Sequence, residues 1–406
     1  AQAILVQGPR RVLGAMIVCR ACRAGGARAA RLLTPTAARQ PFHSPWPSPR
    51  LWRGLCSKPS PAAPAWGVAL DIDGVVRQGP RLIPGSADAI QRLHEAGVPV
   101  IFVTNGGGVT EAAKAQELAA LLGNTSIGER HVLLSHTPMR ELADRYRGRR
   151  VLLVGAKEST AVAESYGFDV RGGMAVTSAQ LVAGTRGLWT MSRPDPGQLP
   201  PVDINGEGPP IEAALLLFDP KDWAVDLQVL IDVLAGGKPV GTGTNSGVLQ
   251  QAVEVYASNP DFVWQAEYAA PRFGQGAFIE CLAALWRRRS GGSQLKVTEF
   301  GKPHRVQFQA AERMLAHVAA ATLSGKAAAG GVPPRRIYMV GDNPAADIRG
   351  ANAAGDRWRS ILVCTGVYKG GAESNDPLDP AWRVEENLGS AVERLLRMSS
   401  AEHLDP

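Results

Sequence analysis

The chain has 406 residues, which is enough to bury a large core and to hold more than one structural unit. Its formal charge of +7 would suit a nucleic-acid partner, but residues 1–70 contain ten basic residues and no acidic one, so the remainder carries 34 Lys and Arg against 37 Asp and Glu. A nearly neutral body argues against an electrostatic nucleic-acid binder.

Residues 1–65 form a leader rich in Ala, Arg, Ser and Pro that contains no Asp or Glu. This composition is typical of a mitochondrial transit peptide and predicts a protein of the mitochondrial matrix. The alternative is a disordered extension on a cytoplasmic protein. We expect no membrane span, because no stretch offers the roughly 18 uninterrupted apolar residues that a spanning helix needs.

After the leader, strand and helix patterns alternate along residues 66–165. Alternation at these lengths predicts a parallel sheet with helices on both faces, so we expect the first part of an α/β core here. The predicted elements are a strand that ends at Leu70, a helix over 85–96, a strand over 98–103, a helix over 110–122 and a strand over 150–154.

The pattern changes between residues 166 and 290, which we predict to be an inserted α/β unit. Within it, residues 186–210 are rich in Pro and Gly and predict a long surface loop. Alternation resumes over residues 291–398, which are predicted to complete the core, and residues 399–406 are a tail.

Polar side chains follow directly on three predicted core strands, and in parallel α/β sheets ligand sites form at this edge. Carboxylates so close together repel unless one is protonated or a cation lies between them, and Mg²⁺ suits a site of hard oxygen ligands. If the first strand continued past Leu70, its alternation would place Asp71 and Asp73 on the same side. Alone, the two residues would fit an acidic turn; the nearby Lys and Thr complement an anion, so the set fits a bound phosphoryl group. The residues are Asp71, Asp73, Thr104, Asn105, Lys302, Asp342 and Asp347.

The polar residues belong to four short motifs that follow one another along the chain. The motifs are Asp71-x-Asp73-Gly74-Val75, Thr104-Asn105-Gly106, Gly301-Lys302-Pro303 and Gly341-Asp342-Asn343-x₃-Asp347-Ile348. In this order they resemble the motifs of the haloacid dehalogenase-like (HAD) hydrolase superfamily, and the large insertion between the second and third motifs resembles the C2-type cap of subclass IIA. The resemblance covers residues 66–395 and implies a Rossmann-like parallel-sheet core with an inserted α/β cap over 166–290.

The resemblance implies a phosphatase that works through an aspartyl-phosphate. Asp71 would be the nucleophile, and Asp73 would protonate the leaving oxygen and then activate water. Thr104 and the backbone amide of Asn105 would bind the phosphoryl oxygens. Lys302 would neutralise both the nucleophile and the transferred group.

The same resemblance implies a Mg²⁺ site. Asp71, the backbone carbonyl of Asp73 and the Asp342 carboxylate would ligate the metal. Asp347 would ligate it or orient its waters.

Further candidate substrate contacts are Gly106, whose amide could join an anion-binding nest, Asp261, and Arg272 for a second anionic group. We expect Trp264, Tyr268 and Phe273 to lie in the cap core; any of them that face the cleft would instead shape the substrate pocket. The leading hypothesis is a Mg²⁺-dependent phosphatase for a small phosphorylated metabolite. The alternative is a catalytically weak HAD-fold protein that binds a ligand or partner in mitochondria. By family analogy, a homodimer would form through the cap.

Overall fold

The computed structural model describes residues 65–156, 158–191, 194–206, 208–238, 249–264, 270–324, 331–398 and 402–403. The predicted leader, apart from its last residue, and most of the predicted tail lie outside the described residues. In the part of the chain that is described, no helix is both long and apolar enough to cross a bilayer.

The described strands are short, and those of the two large sheets are mostly buried. In chain order they are β1 Trp66–Leu70, β2 Arg77–Gln78, β3 Arg81–Leu82, β4 Val100–Val103, β5 Val132–Leu133, β6 Arg150–Val154, β7 Ala175–Thr177, β8 Ile211–Leu216, β9 Glu254–Ala257, β10 Val263–Trp264, β11 Arg272–Phe273, β12 Val297–Glu299, β13 Arg336–Gly341, β14 Trp358–Val363 and β15 Arg383–Glu385.

The helices begin and end where the chain supplies caps. Helix α2, for example, begins after Thr110, whose hydroxyl accepts a hydrogen bond from the Ala113 amide, and ends at Gly123 in the left-handed conformation. The described helices are α1 Ser86–Glu95, α2 Glu111–Leu122, α3 Leu142–Arg145, α4 Ser159–Tyr166, α5 Ser178–Gly184, α6 Trp223–Val233, α7 Gln275–Arg289, α8 Arg305–Ser324, α9 Arg349–Ala354 and α10 Leu388–Arg397.

Six of the described strands form the core sheet, in the order β15–β14–β13–β1–β4–β5, and all pairs are parallel. Side chains alternate across it: Val68 and Leu70 pack on one face with residues of α1, α2 and α10, whereas Ala69 packs on the other with residues of α8 and α9. The structure therefore confirms the predicted parallel sheet with helices on both faces.

The central strands of the core sheet end close together. In the register of the sheet, Leu70 at the end of β1 lies beside Val340 of β13 and beside Phe102 of β4. Because the three strands are parallel, the residues that follow them, including Asp71 and Thr104, meet at one edge of the sheet.

A second parallel sheet has the order β12–β9–β8–β6–β7 among the described strands, and it corrects the predicted limits of the insertion. Strand β6, predicted as core within 66–165, pairs with β7 and β8. Strand β12, predicted as core within 291–398, pairs with β9. The cap sheet therefore extends beyond 166–290, since the local apolar pattern of a buried strand does not say which sheet it joins.

The predicted surface loop over 186–210 packs closely on the cap in its described part. The Ile204 amide donates to Thr185 Oγ1 at 2.9 Å, and the Gln180 side-chain amide donates to the Pro200 carbonyl at 3.0 Å. Ile204 itself is fully buried in the cap core. This part of the loop therefore belongs to the structure of the cap.

Candidate active site

Lys302 is the centre of the polar cluster at the edge of the core sheet. Its ammonium donates to Asp71 Oδ1 at 2.6 Å, to Asp347 Oδ1 at 2.6 Å and to the Val103 carbonyl at 3.1 Å. Lys302, Asp71 and Asp347 are all buried. The structure thus joins the first, third and fourth sequence motifs through one side chain.

The backbone before Lys302 has no room for a larger residue than glycine. Gly301 has φ +76, a left-handed conformation, and a Cβ there would lie 2.7 Å from the Ser258 carbonyl and 2.9 Å from Asn105 Oδ1. Only glycine meets both requirements without strain, because it lacks a Cβ. Gly301 thereby lets Lys302 re-enter the core next to Asn105.

Asp342, directly after β13, brings a third carboxylate to the cluster. Among the described residues, Asp71, Asp342 and Asp347 each offer a carboxylate oxygen, and these oxygens lie within 4.8 Å of one another. Asp342 is oriented by the Val367 amide, which donates to its Oδ2 at 2.5 Å. Three buried carboxylates against one ammonium leave an excess of negative charge, and hard oxygen donors suit Mg²⁺, so the site fits this ion.

The electrostatics of the site also favour a bound cation. Burial raises the pKa of Asp71 well above its usual value, and the opposing attraction of Lys302 does not cancel this. Burial, followed by repulsion from Asp347, raises the pKa of Asp342 to about 7. Burial lowers the pKa of Lys302, but Asp347 and Asp71 outweigh it, so the net shift is upward. A divalent cation would return both carboxyls to the ionised form.

Asp73 differs from the prediction in its position. Strand β1 ends at Leu70, so the alternation that would place Asp73 beside Asp71 does not continue. The Asp73 side chain is 55% exposed and accepts from Arg77 Nε at 2.9 Å, outside the buried trio of carboxylates. Its carboxylate is therefore not one of the clustered oxygens, and it is exposed to solvent.

Gly74 makes a sharp turn after Asp73. Its φ is +96, and the Asp342 carboxylate packs where a side chain would begin. The glycine thus lets the first motif pass close to the fourth.

Thr104 and Gly106 form a tight turn after β4. The Gly106 amide donates to Thr104 Oγ1 at 2.9 Å. Because this amide already has a partner, the predicted role of Gly106 in an anion-binding nest is not favoured in this conformation. Thr104 is buried, and among the described residues no acceptor takes its hydroxyl proton, so the hydroxyl can donate to a bound oxygen.

Asn105 and Asp261 meet across the core and the cap. The Asn105 side-chain amide donates to both carboxylate oxygens of Asp261, at 3.1 and 3.2 Å. The predicted substrate residue Asp261 is therefore brought to the site. Burial raises its pKa to about 6, which Lys302 partly opposes.

Arg272 and two aromatic residues near it lie on an exposed hairpin of the cap. Arg272 is exposed on the β10–β11 hairpin, and its Nε donates to the local carbonyls of Pro271 and Ala270, at 3.0 and 3.3 Å, so its role as a contact for a second anionic group stays a prediction. Trp264 and Phe273, which were predicted in the cap core, are 50% and 67% exposed, and Tyr268, predicted with them, lies outside the described residues. The alternation of a short two-stranded hairpin carries no information about which face is covered.

Phe218 was not among the residues predicted from the sequence, and it lies against the turn after β4. Gly108 has φ +81, and a Cβ on it would lie 2.7 Å from the Phe218 ring. Phe218 lies two residues beyond the end of strand β8 of the cap, and because it is apolar the polar strand-end pattern could not indicate it.

Comparisons with known proteins agree with this geometry. A family model described as haloacid dehalogenase-like hydrolase matches residues 68–169, and one described as HAD-hydrolase-like matches residues 299–391. A mitochondrial hydrolase of Saccharomyces cerevisiae is 32% identical over 322 residues, which are 75% of this chain and 88% of the relative. The chain belongs to the haloacid dehalogenase-like hydrolases. The resemblance seen in the four motifs is thus confirmed.

A second relative is, by its name, a fusion of two enzymes. It is a cardiolipin synthase (CMP-forming)/mitochondrial hydrolase fusion protein of Schizosaccharomyces pombe, 34% identical over 340 residues and 83% of this chain. The chain spans 54% of the length of that fusion protein.

Solved structures of HAD-like hydrolases share the fold. A 4-nitrophenylphosphatase of Thermotoga maritima has a TM-score of 0.52 at 20% identity, covering 81% of this chain and 97% of its own. A glycerol phosphate phosphatase of Mycobacterium tuberculosis in complex with magnesium has a TM-score of 0.52 at 20% identity, covering 84% and 78%. These likenesses agree with a Rossmann-like core that carries a cap.

Proposed function

We propose that this hydrolase is a Mg²⁺-dependent phosphatase that acts on a small phosphorylated metabolite through an aspartyl-phosphate. One observation carries the proposal: the Lys302 ammonium links Asp71 to Asp347 at 2.6 Å each, next to a third carboxylate on Asp342. An ammonium and a carboxylate trio together can hold a phosphoryl group and a divalent cation side by side.

The chain's own residues divide the reaction into two displacements. Asp71 attacks phosphorus as the bond from phosphorus to the leaving oxygen breaks, and Asp73 donates a proton to that oxygen. A water molecule then attacks the phosphorus of the aspartyl-phosphate, gives its proton to Asp73 and frees the Asp71 carboxylate. Lys302 and the Thr104 hydroxyl stabilise the charge on the phosphoryl oxygens in both steps.

Mg²⁺ fits the carboxylates of Asp71, Asp342 and Asp347. When bound, it would supply positive charge that keeps Asp71 ionised and offsets the charge of the phosphate. The solved glycerol phosphate phosphatase that holds magnesium supports this choice of ion.

The names of relatives support the substrate class and the location. One region of 103 residues is 31% identical to a sugar-phosphatase of Bacillus subtilis, and two solved neighbours are a 4-nitrophenylphosphatase and a glycerol phosphate phosphatase. Both long relatives are named as mitochondrial hydrolases. We therefore propose a small phosphomonoester as substrate and a mitochondrial location, in the matrix. A homodimer through the cap stays a prediction, which light scattering on the purified protein would test.

Phosphate release from 4-nitrophenyl phosphate tests the proposal. The native chain should release phosphate with Mg²⁺ and lose activity with a chelator, and Asp71→Asn should fall to the uncatalysed rate. Glu280→Gln, which changes an exposed carboxylate on cap helix α7, is the control and should match the native rate. Equal rates for the native chain and Asp71→Asn would contradict the proposal and favour a HAD-fold binding protein.

A further inference from the structure

The Asn105 side chain is paired with the backbone of the catalytic lysine. Its Oδ1 accepts from the Lys302 amide at 2.7 Å, and its Nδ2 donates to the Lys302 carbonyl at 2.9 Å. Asn105 follows β4 in the core, and Lys302 is the point at which the chain returns from the cap. The paired hydrogen bonds therefore fix the backbone from which the ammonium reaches Asp71.

A cap carboxylate completes this arrangement. The same Asn105 Nδ2 donates to Asp261 at 3.1 and 3.2 Å, so Asp261 and the Lys302 carbonyl share one amide group. An amide whose two hydrogens are both engaged has one orientation, and its Oδ1 must then face the Lys302 amide.

Asp261 is itself held firmly in the cap. Its amide donates to Asn259 Oδ1 at 2.9 Å, and its carbonyl accepts from the Gly276 amide at 3.0 Å. Asp261 follows β9, and Gly276 lies in the first turn of α7, so the carboxylate is carried by two elements of the cap. Its position depends on where the cap lies relative to the core.

The geometry argues against a direct contact between Asp261 and a bound phosphate. Both oxygens of its carboxylate are within hydrogen-bond distance of Asn105, and a carboxylate would repel an anion. Its effect on the reaction therefore passes through another side chain.

We propose that Asp261 is a positioning residue: the cap carboxylate orients Asn105, and Asn105 fixes the Lys302 backbone and so the ammonium that holds Asp71. The kinetic consequence of this inference rests on the proposed phosphatase function. The series of hydrogen bonds from Asp261 through Asn105 to Lys302 does not depend on it. The cap thereby takes part in assembling the catalytic lysine in addition to covering the site.

Kinetics with two unlike substrates separate this role from a substrate contact. For Asp261→Ala we expect kcat to fall roughly ten- to a hundredfold for both 4-nitrophenyl phosphate and glycerol phosphate, because a small misplacement of a catalytic group has effects of this size. KM should change less than about twofold for either substrate, since uniform binding is untouched. Asp261→Asn keeps an acceptor oxygen for Asn105 and should recover most of the loss, and Glu280→Gln should match the native chain.

A double-mutant cycle tests whether Asp261 acts through Asn105. In an Asn105→Ala background, adding Asp261→Ala should lower kcat by less than about twofold, because residues in one network are not additive. Losses that multiply, or a KM change that differs between the two substrates, would overturn the proposal and make Asp261 a substrate contact.

Hydrogen exchange tests the positioning role of Asp261 without any substrate turnover. The Lys302 amide should exchange faster in Asp261→Ala than in the native chain, measured by mass spectrometry on a peptide that contains it, and Glu280→Gln should leave it unchanged. Unchanged exchange in Asp261→Ala would overturn the proposal. If the native chain hydrolyses neither substrate, the proposed function fails, whereas this measurement still decides the role of Asp261.

Discussion

At the scale of residues, the site is a balance of buried charges. The ammonium of Lys302 contacts two of the three clustered carboxylates, those of Asp71 and Asp347. The third carboxylate, on Asp342, accepts a hydrogen bond from the Val367 amide. Burial and repulsion from Asp347 raise the pKa of Asp342 to about 7, above the usual 3.8, so ionising it in the metal-free protein opposes folding.

This gives a prediction for Asp342→Asn without divalent ions. Because the folded-state pKa is raised, the metal-free native protein should lose stability as the pH rises from about 4 to about 7. At pH 8 with a chelator, Asp342→Asn should raise the free energy of unfolding by as much as about 4 kcal/mol, since each pKa unit corresponds to about 1.4 kcal/mol. Urea unfolding measures this.

Added Mg²⁺ supplies the second half of that test. It should stabilise the native chain and have a much smaller effect on Asp342→Asn, while Glu280→Gln should respond as the native chain does. If Asp342→Asn has a lower free energy of unfolding than the native chain in chelator, the ionised Asp342 carboxylate does not destabilise the metal-free protein.

His136 affects the pH dependence of stability in the opposite direction to Asp342. It is fully buried behind the turn after β4: Nδ1 lies 2.6 Å from the Tyr166 hydroxyl, and a Cβ on Gly107 would lie 2.8 Å from its ring. Burial lowers its pKa to about 4, despite the attraction of Glu111. Between pH 6.5 and about 4, His136 is therefore protonated in the unfolded chain and neutral in the folded chain.

We expect His136 to lower the free energy of unfolding at acidic pH. Between pH 6.5 and about 4 the free energy of unfolding should fall by as much as about 3 kcal/mol because of His136 alone. Urea unfolding at pH 5 and pH 7 should show a smaller difference for His136→Gln than for the native chain, and His94→Gln, at an exposed position, should leave the difference unchanged. An equal pH effect in His136→Gln would contradict this role.

The candidate residues could be predicted in part, because strands that end at one edge of a sheet bring their following residues together. That rule predicted the neighbourhood of Asp71, Thr104 and Asp342. Strand alternation would have placed Asp73 beside Asp71 only if β1 had continued, and β1 ends at Leu70. The strand-end rule missed Val367 and Phe218, because a backbone amide and an apolar ring from distant segments leave no polar pattern in the sequence.

At the scale of elements, the turn after β4 brings the core into close contact with the cap. Gly108 has φ +81 and packs against Phe218, whereas Gly97 has φ +68 and no atom of the described residues lies within 4 Å of where its Cβ would be. The two glycines share a left-handed backbone and differ in their surroundings. Comparing them separates backbone strain from contact with the cap.

Alanine at the two positions should therefore have different effects. Gly97→Ala should cost about 1 kcal/mol from the left-handed backbone alone. Gly108→Ala should cost about 2–4 kcal/mol, because the new methyl group also meets the Phe218 ring. In a Phe218→Ala background the excess cost at Gly108 should disappear. Urea unfolding of the four variants measures this, and equal costs at both glycines would show that Phe218 does not confine the turn.

Element types were predictable from periodicity, but their partners were not. The apolar run of β6 resembles that of β1, although one joins the cap sheet and the other the core sheet. Short strands such as β7 and β15 were missed, since a run of three residues is too brief to show a period.

At the scale of the whole molecule, four short motifs were enough to recognise the family and its fold. Their residues lie far apart in the chain and meet in one site. The limits of the cap could not be predicted in this way, because the second sheet includes one strand from each side of the predicted insertion. The leader was interpreted from composition alone, and residues 1–64 are not described by the structure.

The leader carries a prediction about location. Residues 1–65 fused to a fluorescent reporter should direct it to mitochondria, because the segment is basic and free of acids. A fusion in which the basic residues of the segment are replaced by Gln should stay diffuse. Diffuse cytosolic signal from the unaltered fusion would contradict the assignment.

The proposed mechanism requires that Asp71 becomes phosphorylated during turnover. Borohydride added during turnover of 4-nitrophenyl phosphate would reduce an aspartyl-phosphate to homoserine, which peptide mass spectrometry locates. We predict homoserine at position 71 in the native chain with Mg²⁺ and none in Lys302→Met, which lacks the ammonium that lies 2.6 Å from Asp71 Oδ1. Phosphate release at the native rate with no modification of Asp71 would contradict the account.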